Sequence, residues 1–140
     1  MLLFLLVMLL YSSYTDFREQ AVYNLPVALY MGTAIFFIFA GRVWENRALP
    51  VFLGMTAIVL ILGIVKVWGL GDSNLIICIG LWMLLDTREP LAFLIRVVVV
   101  LLIASVGFII ALLITRRKKG PFVPVLTAGL LIETVLRQSF

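Results

Sequence analysis

Long apolar runs joined by short polar connections constrain this chain more than any other feature. Hydrophobic residues make up 64% of its 140 residues, whereas a soluble domain is closer to one-half apolar. A helix needs about 20 apolar residues to cross a bilayer, and no run alternates polar and apolar residues as a half-buried strand would. The sequence therefore predicts an all-α protein, a polytopic membrane bundle of about six transmembrane helices that forms one domain over residues 1–140. The predicted spans are 1–14, 25–41, 49–68, 75–85, 91–115 and 121–136.

Two of these runs are short for a membrane span. The first resembles the core of a signal peptide, but no basic region precedes it and no small-residue cleavage site follows, so we predict a retained span. The fourth run crosses a bilayer only if its helix is tilted or begins near Asp72.

Composition excludes several kinds of chemistry. Histidine is absent and Cys78 is the single cysteine, so the chain holds no His-based catalyst, Cys–His nucleophile or Cys/His zinc site of its own. Basic residues cluster at the edges of the apolar runs rather than along an aromatic-studded face, which argues against nucleic-acid binding. We therefore expect no metal, no cofactor and no nucleic-acid partner, with the lipid bilayer as the surroundings.

The distribution of positive charge orients the predicted spans. Arg116, Arg117, Lys118 and Lys119 follow the fifth run, and the positive-inside rule makes this border cytoplasmic. Counting back through alternating spans places the connections 16–24 and 66–73 on the same side. Asp16 and Asp72, far apart in sequence, are therefore predicted to lie at one face of the membrane.

An ionisable residue near membrane depth is costly, and two of them suggest an acid–base pair. Two adjacent carboxylates share a proton near neutral pH, because like charges raise the pKa of one of them. One carboxylate can then accept a proton from water while the other carboxyl polarises a peptide carbonyl. The plainer alternative is that Asp16 is a polar helix end and that Asp72 is the N-cap of the fourth helix.

Three segments resemble those of the type IV prepilin peptidase family. Asp16–Arg18 followed by Val22–Leu25 is similar to the family's first catalytic segment, an Asp before a basic residue and an Ile-Pro-Asn triplet. Gly69–Leu75 is similar to the second, a Gly-x-Gly-Asp motif. Gly120–Pro124 resembles the Pro- and Phe-bearing segment that opens the last helix. The order and approximate spacing of the segments also match.

The resemblance implies an intramembrane aspartic endopeptidase of the cell inner membrane. Such enzymes remove the short basic leader from prepilins or pseudopilins at the cytoplasmic face, and Asp16 and Asp72 would be the catalytic pair. Larger relatives add a methyltransferase activity and a loop with paired cysteines. Because this chain has one cysteine and no such loop, we expect no methyltransferase activity. Its compact form is similar to that of the peptidases of tight-adherence pili. The residues implied to bind substrate or shape the site are Gly69, Gly71, Asn24, Asn74, Pro121 and Phe122.

Two departures from the family pattern leave alternatives open. Tyr23 replaces the proline of the triplet, and Asn74 replaces the usual lysine after the second aspartate. An inactive or unusually specific relative is therefore one alternative. A proton- or cation-coupled transporter subunit is another, and a non-catalytic assembly factor for a pilus or secretion system is a third.

Three further charges lie within or next to predicted spans. Arg96 is expected either to extend toward the membrane edge or to pair with Asp86 or Glu89. Glu133 and Arg137 lie four residues apart in the last helix and are expected to pair with each other. We predict structural roles for these residues.

Overall fold

The computed structural model describes residues 2–19, 24–41, 45–66, 69–115 and 122–139. Within these ranges the chain forms six α-helices and no strand, which confirms the all-helical prediction. Helix bounds follow the apolar runs to within a few residues at most ends. The helices are α1 (Leu2–Glu19), α2 (Asn24–Ala40), α3 (Leu49–Ile64), α4 (Leu70–Asp86), α5 (Pro90–Thr115) and α6 (Val123–Ser139).

Local sequence explains where several helices begin and end. Pro50 lies in the first turn of α3 and Pro90 is the first residue of α5, positions where a missing N–H costs nothing. Helix α3 ends where Lys66 adopts a positive φ of 63°, which turns the chain away from the helix axis. Extended Gly69 then leads into α4.

Helix α4 is the centre of the bundle. Residues 75–84 are all buried, and the helix packs against α1, α2, α3 and α5. A helix that is apolar on every side is expected to be buried in this way. The helix begins at Leu70, before Asp72, and its 17 residues span about 25 Å. The short fourth run is therefore lengthened at its N-terminal end, one of the two possibilities raised by the sequence.

Helix α5 is the most exposed apolar element. Within the described residues, Pro90–Ile114 is the one helix that is both long and apolar enough to cross a membrane, while α1, α2 and α3 contain shorter apolar segments. The exposed apolar side chains of α5 include Leu102, Ile109 and Leu113. An apolar outer surface of this kind is typical of contact with lipid or with another protein.

Two glycines permit close approach between neighbouring helices. A Cβ on Gly63 of α3 would lie 2.4 Å from the Ser73 Oγ atom of α4. A Cβ on Gly129 of α6 would lie 3.0 Å from the Val100 carbonyl oxygen of α5. Small residues at such contacts let helix backbones pack closely where little hydrophobic driving force acts between helices.

Candidate active site

Asp16 lies near the C-terminal end of α1, and α6 supplies its hydrogen-bond donor. The Val123 backbone N–H donates to the Asp16 Oδ2 atom at 3.1 Å. Val123 is the first residue of α6, so its N–H has no partner inside the helix. The N-terminal end of a helix also carries partial positive charge and favours an anion. This bond therefore fixes the Asp16 carboxyl group against the start of α6.

A second hydrogen bond joins α1 to α6 one turn away. The Ser13 and Thr127 hydroxyl oxygens are 3.1 Å apart. The Thr127 hydroxyl donates to the Val123 carbonyl at 2.9 Å, so Ser13 is the donor in the bond between the two side chains. The two contacts together set the register between α1 and α6 beside Asp16.

Asp72 lies in the first turn of α4, three residues after Gly69. Gly69 is the N-cap of this helix, so the alternative that Asp72 is the N-cap was wrong. Instead the Gly69 N–H donates to the Asp72 carboxyl group, just as the side chain of the third helical residue accepts from the N-cap N–H in a capping box. A Cβ on Gly69 would lie 3.3 Å from the Asp72 Oδ2 atom, so a larger residue would crowd the carboxyl group.

Ser73 holds the start of α4 against α3. Its side chain is buried, and its hydroxyl donates to the Val59 carbonyl of α3 at 3.2 Å. Gly63 leaves the space in which this hydroxyl lies. The position of Asp72 therefore depends on close packing between two helices that the sequence brings together around Gly63.

The two carboxyl groups, both beyond the ends of the apolar runs, influence each other electrostatically. Burial raises the pKa of Asp72 to about 6, the negative charge of Asp16 adds to this rise, and the Gly69 N–H opposes it. Burial also raises the pKa of Asp16, against the lowering effect of the Val123 and Phe122 N–H groups. Like charges that interact in this way favour a state in which the two groups hold one proton between them. We call Asp16 and Asp72 the carboxylate pair.

The other sequence-predicted site residues lie on several elements. Gly71 and Asn74 are partly buried in the first turns of α4, and Asn24 is an exposed residue at the start of α2. Phe122 immediately precedes α6, and its ring lies edge-on to Phe108 with centroids 5.7 Å apart. Pro121, Tyr23 and the basic stretch 116–119 lie outside the described residues. In the described part of the chain, no group of three or more His, Cys, Asp or Glu side chains is placed to hold a metal ion.

The residues that position the pair were not predicted from the sequence. Val123 contributes its backbone N–H, a group that every residue except proline has, so its side chain gave no indication of this role. Ser13 and Thr127 did leave a signal, because each is a hydroxyl residue that interrupts an apolar run. Gly63 and Ser73 looked unremarkable because their contact joins two separate helices.

The opposite end of the bundle holds a different set of charges. The Arg96 Nε atom donates to Glu133 Oε1 at 2.8 Å, and its Nη1 atom donates to Asp86 Oδ2 at 3.0 Å. The Arg96 Cζ atom also lies 5.1 Å from the centre of the Trp82 ring. Arg137 bonds to Asp86 as well. We call Asp86, Arg96, Glu133 and Arg137 the Arg96 cluster.

This cluster confirms one sequence expectation and corrects another. Arg96 does pair with Asp86, as one of the alternatives predicted. Glu133 and Arg137, predicted to pair with each other, bond instead to Arg96 of α5 and to Asp86 of α4. The cluster therefore joins three helices.

A comparison with protein-family models matches residues 3–115 to the type IV leader peptidase family. The matched residues include both members of the carboxylate pair and helices α1 to α5. No curated protein and no solved structure gives a significant match. Because the match covers most of the chain, this protein belongs to the type IV leader peptidase family.

Proposed function

We propose that this peptidase is an intramembrane aspartic endopeptidase that removes the leader of prepilin-like proteins. Family membership supports peptide hydrolysis. The observation that carries the aspartic assignment is the electrostatic coupling within the carboxylate pair, where the charge of Asp16 helps to raise the pKa of Asp72. Carboxyl groups whose pKa values are raised by burial and by a neighbouring charge are typical of catalytic sites.

The proposed reaction needs only these two carboxyl groups and water. The ionised carboxylate accepts a proton as the water oxygen bonds to the carbonyl carbon of the scissile peptide. The protonated carboxyl donates its proton to the carbonyl oxygen, which gives a neutral tetrahedral intermediate. The C–N bond then breaks as the pair gives its proton to the leaving amine and accepts a proton from one hydroxyl of the intermediate, which becomes the new carboxyl group. The pair returns to its singly protonated state.

The proposed location is the inner membrane, with several spans and the pair toward the cytoplasm. Support comes from the exposed apolar side chains of α1, α2, α3 and α5, which a lipid environment would cover. The basic stretch 116–119 follows α5 in sequence, and the positive-inside rule places such a stretch in the cytoplasm. The substrate would then be cut where its basic leader emerges from the bilayer.

Transport is a weaker proposal for the same carboxyl groups. A conduit needs polar groups along its path through the bundle. The buried stretch 75–84 at the centre of α4 is almost wholly apolar, with Cys78 its most polar side chain. Peptide hydrolysis at the end of the bundle requires no such path.

The experiment that tests the proposal is leader cleavage in membranes. The chain is co-expressed with a panel of prepilins and pseudopilins and compared with Asp16→Asn and Asp72→Asn, which keep side-chain shape and remove the acid–base group. We expect the parent to process at least one substrate and each variant to lose about 100-fold or more in rate. Asp86→Asn, at the opposite end of the bundle, is the matched control and should retain cleavage per folded molecule. Processing that survives both substitutions would overturn the proposal.

A further inference from the structure

Helix α6 lies after the residues matched to the family, yet its first residue bonds to the carboxylate pair. We propose that the first turn of α6 assigns the roles within the pair. The Val123 N–H holds Asp16 as the ionised member, the general base, so that Asp72 carries the shared proton and acts as the general acid. This inference rests on the proposed function and adds Val123 as a positioning residue.

The two carboxyl groups differ in the backbone N–H groups that stabilise them. Asp16 accepts the Val123 N–H and is also stabilised by the Phe122 N–H, both at the positive end of α6. Asp72 has the Gly69 N–H as its backbone donor. Donors to a carboxylate stabilise its charged form, so the charge is favoured on Asp16.

Among the described residues no cation contributes to the pKa shift of either carboxyl group, and Lys66, in the connection before α4, is exposed. Helix α1 packs against α2, α4 and α6. The group of α4 that acts on Asp16 is Asp72 itself. Helix α2 contains no charged residue. The charged residues of α6 belong to the Arg96 cluster at the other end of the bundle. Arg18, the nearest charged side chain described on α1, donates to the Tyr14 hydroxyl at 2.8 Å.

The consequence is a defined direction of proton transfer. As the water oxygen bonds to the carbonyl carbon, an Asp16 oxygen accepts the water proton. The Asp72 hydroxyl gives its proton to the carbonyl oxygen at the same time. The pair therefore keeps one proton while the roles of acid and base exchange, which sets up protonation of the leaving amine by Asp16.

The role of the Val123 N–H can be tested by substitution because Val123 is the first residue of α6. Proline is favoured at this position and has no N–H, so Val123→Pro removes the donor while the helix can still form. Val123→Ala removes more of the side chain but keeps the N–H, and it is the matched control. The proline ring carbon also takes the place of the amide hydrogen, so a difference between these two variants reports loss of the contact between the Val123 nitrogen and Asp16 rather than loss of the valine side chain.

The first readout is the pH profile of cleavage. Loss of the Val123 N–H makes the Asp16 carboxylate easier to protonate, so the acid limb should move to higher pH by about one unit in Val123→Pro. The limb should stay in place in Val123→Ala. Identical profiles for the two variants would overturn the inference and leave the peptidase proposal intact. If the parent cleaves no candidate substrate, it is the proposed function that fails.

The second readout does not depend on activity. The chain contains three aspartates, so selective 13C labelling gives three carboxyl signals, and the signals lost in Asp86→Asn and in Asp72→Asn identify all three. In the parent we expect the Asp16 signal to titrate at lower pH than the Asp72 signal, and Val123→Pro to raise the Asp16 midpoint by about one unit. If Val123→Pro is not recovered folded, the parent titration alone decides. An Asp16 signal that titrates above Asp72 would overturn the inference.

Discussion

The two ends of this helical bundle handle buried charge in opposite ways. In the Arg96 cluster each acidic side chain bonds to a guanidinium group, and the Arg96 side chain is only 10% exposed. In the carboxylate pair two like charges interact, and the hydrogen bonds described to them come from backbone N–H groups. One end is electrically balanced, while the other keeps an unbalanced pair of acids.

The difference separates a structural use of charge from a chemical one. A buried ion pair with good geometry fixes how helices meet, and removing one partner leaves an uncompensated charge. A pair of acids with raised pKa values gains little stability, but it holds a proton in a state suited to transfer near neutral pH. We therefore expect substitutions at the two ends to change stability in opposite directions.

The largest effect on stability should come from Arg96→Met. This change leaves Glu133 and Asp86 without their buried partner, and we expect the free energy of unfolding to fall by about 3–5 kcal/mol. Titration of the detergent-solubilised protein with a denaturing detergent would measure it. Arg18→Met is the control, since Arg18 is exposed and its described contact is with Tyr14. Equal losses for the two variants would break the comparison.

The next largest effect should come from Gly63→Ala, which alters the packing between α3 and the start of α4. Gly63→Ala forces a Cβ to within 2.4 Å of the Ser73 hydroxyl, so we expect a loss of about 1–3 kcal/mol together with reduced leader cleavage as Asp72 moves. Gly54→Ala on the same helix meets nothing within 4 Å and should be neutral or stabilising. A harmless Gly63→Ala would mean that the start of α4 tolerates displacement.

A smaller and opposite effect is expected for Asp72→Asn. Because the pKa of Asp72 is raised to about 6 in the folded state, folding favours its protonated form, and the parent should lose stability as pH rises through 6. After allowing for solvent screening of this half-buried group, Asp72→Asn should be more stable by about 1–2 kcal/mol at pH 7.5. The difference should vanish near pH 4. Unfolding at both pH values measures this, and an Asn variant that is less stable at pH 7.5 would contradict it.

The smallest effect should come from Arg137→Gln within the Arg96 cluster. The Arg137 side chain is 51% exposed, and an exposed ion pair contributes about 0–1 kcal/mol. The same denaturation assay should therefore show little change, in contrast to Arg96→Met. A loss as large as that of Arg96→Met would show that burial does not separate the two arginines.

Much of the fold was available from the sequence because it depends on local patterns. Apolar runs located the helices, and alternation of spans predicted that Asp16 and Asp72 share one end. The partners of those side chains were not available. Val123 acts through its backbone, and Glu133 reaches Arg96 across a helix interface that no local pattern reports. Contacts of this kind depend on three-dimensional packing.

The most direct test of the central claim, that Asp16 and Asp72 meet as one pair, is cross-linking. In a Cys78→Ala chain, which then lacks cysteine, Asp16→Cys and Asp72→Cys are combined and treated with a short bismaleimide. Asp16→Cys with Asp86→Cys, which joins opposite ends of the bundle, is the matched control. The account predicts efficient cross-linking of the first combination and none of the second. Failure of the first, or equal cross-linking of both, would contradict it.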